Sequence, residues 1–469
     1  MQIGILNGIY TDNAPSLRTS YPVNRIPMPK GSGVSQDYLQ PANGIVTLGT
    51  GPGVDRGGIN WKDVCYRVMG SKLVSVSSNG VVTVLGDVEL GTDPYVTMDY
   101  SFNALMIASN KCLFYWDGTT LTKVTDPDLG FVLDAIWIDG YYMTTDGTNI
   151  VVTELSDPTQ VNPLKYGAAE LDPDAIKALI KVRGEVAVIG RHTIEYFDNV
   201  GGDLFPFARI AGAFIMKGSI GTHSCCLFSQ SLVFLGSGRN ESPSIYFVDN
   251  AIARKIATEE VDRILMQYTE EQLAQVKLES VMNSMGYEFL YVHLPDRTLV
   301  YHQEATDRLQ ASIWFVLTSA LEDFEQYRAR NMVWAYDKWI VGDPQSNNVG
   351  VLSDTVSTHW GNKVRWEFGT QILYNESRGA IFHELELVAL TGNVDQGKNP
   401  LISTSYSLDG QTWSADRFIR SGTTGDRNKR LQWFQQGCMR DWRLQRFRGD
   451  SDSHLSFLRL EARLEPLAY

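Results

Sequence analysis

The chain has 469 residues, 43% of them hydrophobic and only 20% charged, with formal net charge −13 and a pI near 5.1. So large an apolar share excludes a disordered chain, and the length exceeds one ordinary core, so two or three units are expected. With 41 glycines and 51 aromatic residues the composition favours a β-protein over a helical bundle or coiled coil, and no apolar run is long enough to cross a membrane as a helix.

Residues 1–8 lack the positive and apolar regions of a signal peptide, so none is expected. Residues 1–60 read as an extended arm. Pro15, Pro22, Pro27, Pro29, Pro41 and Pro52 punctuate it, together with Gly31, Gly33, Gly51, Gly53, Gly57 and Gly58. Proline removes donors and glycine raises backbone entropy, so neither helix nor central strand is expected there.

From Trp61 the pattern changes to short strands separated by turns. Residues 65–69, 72–76 and 81–85 form the first group, the last two joined through Asn79-Gly80, which suits a type I′ hairpin. The theme recurs at 104–108, 112–116 and 121–124, with Asp117-Gly118 as a turn. It continues at 132–138 and 141–144, around Asp139-Gly140, and onward to 339–341. About 300 residues of such strands exceed one sandwich. At roughly 40–50 residues per blade they predict an irregular β-propeller of six or seven blades over 61–360.

Two helical insertions are expected. One lies near 172–182, where Asp172-Pro173-Asp174 precedes an apolar run; the other lies at 257–278, where Thr269-Glu-Glu-Gln272 has the capping-box pattern. Residues 361–469 read as a C-terminal β-sheet domain. In it Ile402, Thr404, Tyr406 and Leu408 share one face opposite Ser403, Ser405 and Ser407, and Leu458, Leu460, Ala462 and Leu464 alternate with Arg459, Glu461 and Arg463.

Chemistry-bearing motifs are sparse. His223-Ser-Cys225-Cys226 gathers three potential zinc ligands, but no CxxC or HExxH accompanies them, and adjacent cysteines in an apolar strand read as small core residues. Five widely spread cysteines (65, 112, 225, 226, 438) are not a disulfide framework, which fits a reducing cytoplasm. Gly49-Thr-Gly51-Pro-Gly53 satisfies no phosphate-binding pattern, and no GxSxG elbow occurs. Ser407-Leu-Asp409-Gly410-Gln-Thr412-Trp413 resembles the Asp-box turn of propeller glycosidases, where the box is structural and normally repeats; one copy is present here. No catalytic, cofactor-binding or metal site is assigned.

The one basic region is 417–463. It holds eleven Lys or Arg residues (417, 420, 427, 429, 430, 440, 443, 446, 448, 459, 463) against five acids, a net +6 that leaves −19 for the rest. Trp433, Phe434, Trp442 and Phe447 interleave it, which suits nucleic acid or an acidic protein partner.

Several stretches then stand in a recognisable order: residues 61–73 (WKDVCYRVMGSKL), Thr193-Ile-Glu-Tyr-Phe197, Lys217-Gly-Ser-Ile-Gly-Thr222, Pro243-Ser-Ile-Tyr246, Tyr268-Thr-Glu-Glu271, His293-Leu-Pro295 and Leu299-Val-Tyr301. The series, with Pro22-Val-Asn24 before it, resembles the packaged-DNA stabilisation protein, or tail hub, family of short-tailed bacteriophages, over about residues 60–302. The chain departs from the family pattern at Ser71 (glycine there), Val74 (tyrosine) and His302 (aspartate). The resemblance implies a structural virion protein of the tail, assembled in the host cytoplasm, with no active site and no cofactor. It implies a six-copy ring of propellers beneath the portal and its head-to-tail adaptor ring, with double-stranded DNA as passing cargo. A tail needle or plug and tailspikes are the other implied partners, with no membrane insertion. The basic region, with Arg440, Arg443 and Arg446 at its centre, is expected to contact protein before DNA. A second reading is a propeller glycosidase or depolymerase acting on cell-surface polysaccharide, and a third a non-enzymatic receptor-binding propeller.

Overall fold

Strands joined by tight turns pair with their sequence neighbours, and between residues 44 and 353 the chain does this seven times. The computed structural model describes residues 1–5, 8–9, 21–29, 37–155, 157–169, 171–375 and 378–467. Among these, seven antiparallel sheets occupy 55–87, 97–123, 134–168, 176–215, 218–255, 277–317 and 330–353 and form blades 1 to 7. Their innermost strands stand side by side, and Arg330–Ala335 of blade 7 returns to Asp55–Trp61 of blade 1, closing the ring. Gly44–Thr50 supplies the outer strand of blade 7 by pairing with Asn348–Ser353, so one sheet joins the two ends of the propeller.

A blade is apolar on both faces and cannot bury itself alone. Seven apolar clusters each join two neighbouring blades: Trp61, Leu73, Phe114 and Trp116 link blades 1 and 2, and Cys65, Val74, Val333 and Ile340 link blades 7 and 1. An eighth cluster, with Trp366, Phe368, Phe382, Trp433, Phe447 and Phe457, fills a separate β-sandwich. One sandwich sheet orders Arg25–Pro29, Asp37–Pro41, Ser456–Pro466, Ala380–Leu390 and Leu431–Phe434, with Gln2–Ile3 and Cys438–Met439 attached. The other orders Arg365–Gly369, Trp442–Asp450, Leu401–Ser407 and Arg417–Arg420, with Leu373–Tyr374 attached.

The two units are stitched at Val23 and Asn24. Val23 exchanges backbone bonds with Glu367 of the sandwich (2.8 and 3.2 Å), and Asn24 N–H donates to Val316 O of blade 6 (2.8 Å). The Asn24 side chain adds bonds to Thr318 and Arg365 carbonyls at 3.0 and 2.7 Å, with its backbone in the left-handed region (φ 51°) that asparagine tolerates.

Several expectations change. The helix expected near 172–182 is instead strand Ile176–Val182, paired with Glu185–Gly190. Asp174 accepts from His192 N, Thr193 N and Thr193 Oγ1, so the local acidic cap serves the neighbouring turn while sheet pairing takes the apolar run. The stretch 257–278 holds two short helices, Glu259–Leu265 and Glu270–Ala274; Thr269 and Gln272 close the capping box. The N-terminal arm is more structured than its prolines and glycines predict. Asp55–Trp61 is an innermost strand, and Gly57 is needed there because a Cβ would meet Val96 Cγ2 at 2.6 Å. Pro15, Gly31 and Gly33 lie outside the described residues.

Asn79-Gly80 is not a type I′ turn, since only Gly80 has positive φ; Asp139 (49°) and Gly140 (91°) do form one. In Leu401–Ser407 both faces are buried, because Arg446 lies over Ser405. In Ser456–Pro466 the register shifts between Val388↔Arg459 and Ala389↔Phe457; this bulge turns Phe457 inward in place of Leu458.

Candidate assembly surfaces

The eleven basic residues of 417–463 separate into buried, paired and free groups once folded. Arg443 is fully buried: its guanidinium lies 4.3 and 4.0 Å from the rings of Phe382 and Tyr406 and donates to Gln436 O (2.7 Å) and Gln445 Oε1 (3.0 and 2.8 Å). Burial pulls its pKa down to about 10. Arg446 stacks 4.0 Å over Trp413 and bonds Ser405 Oγ. Arg430 pairs with Glu386, Arg448 with Asp416 and Arg459 with Glu461. The expectation that Arg440, Arg443 and Arg446 form one contact surface is therefore corrected. Arg443 is a core residue and Arg446 a half-buried stacking residue; Arg440 alone is exposed.

The aromatic set divides the same way. Trp433 and Phe447 belong to the sandwich core and Trp442 is half-buried, whereas Phe434 is 60% exposed. Phe418, equally exposed, is the residue that sequence reasoning missed. It sits on Arg417–Arg420, the edge strand of one sheet, and Phe434 on Leu431–Phe434, the edge strand of the other. Trp433 Nε1 donates to Arg417 O at 2.9 Å, and Arg417 donates to the carbonyls of Phe434 (2.9 Å) and Gln435 (2.6 Å), so the two edges are locked together. Arg420, Arg427, Lys429 and Arg440 stand exposed around them with no carboxylate partner among the described residues. Two sheet edges with exposed aromatics and free cations make a surface suited to a second, acidic protein surface.

The remaining candidates are structural. Cys225 is buried in the core between blades 4 and 5 with its thiol 3.5 Å from Thr222 O, burial raising its pKa, and the five cysteines are free thiols. Burial lowers the His223 pKa to about 3, and its ring meets Tyr95 edge-on. No cluster of metal-binding residues occurs among the described residues. In the Asp-box-like segment, Asp409 Oδ1 accepts from Gln411 N (2.8 Å) and Thr412 N (2.7 Å), and Gly410 N–H donates to Ser407 Oγ (2.9 Å). The Thr412 hydroxyl also donates to Asp409; that bond first, then the two backbone bonds, hold Asp409 well below the usual carboxylate range, and together with Gly410 they shape a tight turn leading from strand Leu401–Ser407 to Arg417–Arg420.

The comparisons agree with this division of the chain. The family described as bacteriophage P22 Gp10, beta-propeller, matches residues 1–357, and its companion, bacteriophage P22 Gp10, beta-sandwich, matches 365–465. The tail hub protein gp10 of Salmonella phage P22 is 27% identical over 446 residues, covering 89% of each chain. Among solved structures, the WD40 domain of Neurospora crassa Pan2 is 10% identical (TM-score 0.43; 66% of this chain, 95% of that one). The virginiamycin B lyase of Staphylococcus aureus is 8% identical (TM-score 0.41; 66% and 98%).

Proposed function

The chain belongs to the family of bacteriophage P22 Gp10 and is a structural protein of the virion tail, not an enzyme, and from this premise we propose that six copies form a hub ring beneath the portal and its adaptor. The observation that carries this reading is the match through both units, propeller and sandwich, to a protein named as a tail hub. The ring continues the DNA channel, is closed by a needle or plug, and helps hold tailspikes. We place the boundary between the two units near residue 360, with residues 361–469 as the contact module.

Charge supports the division of labour. Outside 417–463 the chain carries −19, which repels phosphate and lets the genome pass without being gripped. The sandwich edge, with Phe418, Phe434 and the free Arg420, Arg427, Lys429 and Arg440, then meets the adaptor or a neighbouring subunit. Closed rotational symmetry makes such a ring self-terminating.

Light scattering on the purified chain, alone and with portal–adaptor complexes of the same virus, tests the reading. Mass equal to six added copies supports it; a monomer that ignores the adaptor overturns it. The triple change Arg420→Glu, Arg427→Glu, Arg440→Glu alters exposed residues only, so it should fold normally and assemble poorly. Normal assembly with lost DNA retention would move the basic edge to a DNA role.

A further inference from the structure

Against the acidic balance of the chain, one end of the propeller axis is locally positive. The loops between blades 1 and 2 and between blades 5 and 6 help enclose a cavity of about 550 Å³, lined among others by Arg56, Tyr95, Gln275, His293, Gln326 and Arg330. Arg330, on the innermost strand of blade 7, is 8% exposed. One of its terminal nitrogens donates to the Tyr95 hydroxyl, while Nε has no partner and no carboxylate reaches the guanidinium among the described residues. Arg56, 4% exposed, donates only to neutral acceptors: the carbonyls of Gly70, Glu89 and Asp93 at 3.2 Å and Ser109 Oγ at 3.1 Å.

The buried acids nearby are already committed. Asp55 takes both bonds of a two-pronged pair with Arg67 (2.7 and 2.7 Å), and Glu279 is shared between Lys277 and His293 at 3.2 Å each. Four buried or half-buried cations, Arg56, Arg67, Lys277 and Arg330, thus face two carboxylates, and the exposed Asp93 at the rim offsets Arg56, which leaves Arg330 without a carboxylate among the described residues. A buried charge without a partner is strongly unfavourable, so such an arrangement is stabilised by an anion. The volume is that of an ordinary small-molecule pocket.

We propose that this axial cavity binds a small anion carrying a phosphate or carboxylate group, with Arg330 donating to it, Arg56 supplying the field, and Tyr95 and Gln275 beside it. Duplex DNA is too wide for the cavity, so the ligand is a free small molecule.

Calorimetric titration and thermal melting of the full chain with inorganic phosphate, citrate and adenosine monophosphate, at ionic strength fixed with chloride, test this. At least one anion should bind with one site per chain and raise the melting temperature, and Arg330→Gln should weaken it tenfold or more. Gln326→Glu, which adds a carboxylate to a half-buried wall residue, should fold normally and weaken binding likewise, so the test survives if Arg330→Gln does not fold. Absence of binding beyond the chloride control, or equal binding by wild type and Gln326→Glu, overturns the proposal. A short DNA duplex that binds and is not displaced by phosphate would also overturn it.

Discussion

At the seam between its last and first blades the propeller buries a cation in an ion pair, whereas the sandwich buries its cations against aromatic rings. Arg67 holds Asp55 within blade 1 and donates to Asn331 O of blade 7 (2.9 Å), while Asn331 Nδ2 donates to Asp55, so Asn331 ties the charged pair across the seam where the ring closes. In the sandwich, Arg25 lies 4.4 and 4.8 Å from the rings of Trp366 and Phe457 and donates to Leu455 O, with no carboxylate partner among the described residues. Burial draws the Arg25 pKa down to about 9 and that of Arg443 to about 10, while the Asp55 carboxylate raises that of Arg67. A closed ring needs fixed polar geometry between neighbouring blades, which a bidentate pair bonded to Asn331 of the next blade provides. A two-sheet core needs filled volume, which a flat guanidinium stacked on rings provides.

The sharpest way to break this contrast is Asp55→Ala. It strands the Arg67 guanidinium in the interior and should destabilise the chain by about 3–5 kcal/mol in chemical denaturation. A loss no greater than that of an ordinary surface change would remove the seam pair from the account.

Acid should come next and should act mainly on the propeller side. His302 is 0% and His359 2% exposed, and burial lowers their pKa values to about 4 and about 3. Both are lowered from an unfolded value of about 6.5, so the stability they contribute is complete above that pH and drains away as pH falls toward 4. Asp134 opposes them: burial raises its carboxyl to about 6, so it takes up its proton in the fold first and favours the folded state as pH falls. For these three groups together the loss at pH 4.5 should be about 3 kcal/mol, seen as amide exchange accelerating in blades 6 and 7 before the sandwich. Sandwich amides opening first would reverse the comparison.

Arg443→Met should cost less, about 1–2 kcal/mol, since it removes a buried charge and leaves two carbonyl oxygens without donors. If it equals Asp55→Ala in a denaturant titration, the two units do not differ as described. Smallest of all, Arg430→Ala removes an exposed partner of Glu386 and should leave the melting curve unchanged within error.

His302 shows how far local sequence carries. It caps the unforeseen helix Gln303–Leu309, its Nδ1 accepting from Ala305 N at 3.3 Å, at the position where the family pattern has aspartate. Both residues offer an acceptor to an orphan helix N–H, so the departure keeps the cap. That helix has no apolar period to announce it, and at seven residues its cap is its only signal.

What the sequence by itself determined was the class of fold, the repeating short strands, the capping box at Thr269 and the tail-hub resemblance, because turn chemistry and two-residue alternation act between near neighbours. It also placed the propeller before a C-terminal β-sheet domain and left the blade count at six or seven. Only the tertiary structure decided that there are seven blades among the described residues, that Gly44–Thr50 closes the last of them, and that Gln2–Ile3, Arg25–Pro29 and Asp37–Pro41 belong to the C-terminal sandwich. Those pairings join residues some 300 to 460 positions apart, where no local pattern records the partner. The same holds for the basic region: eleven cations look alike in a row, and only the placement of strand and loop in the sandwich decides that Arg443 is core while Arg427 and Arg440 meet solvent.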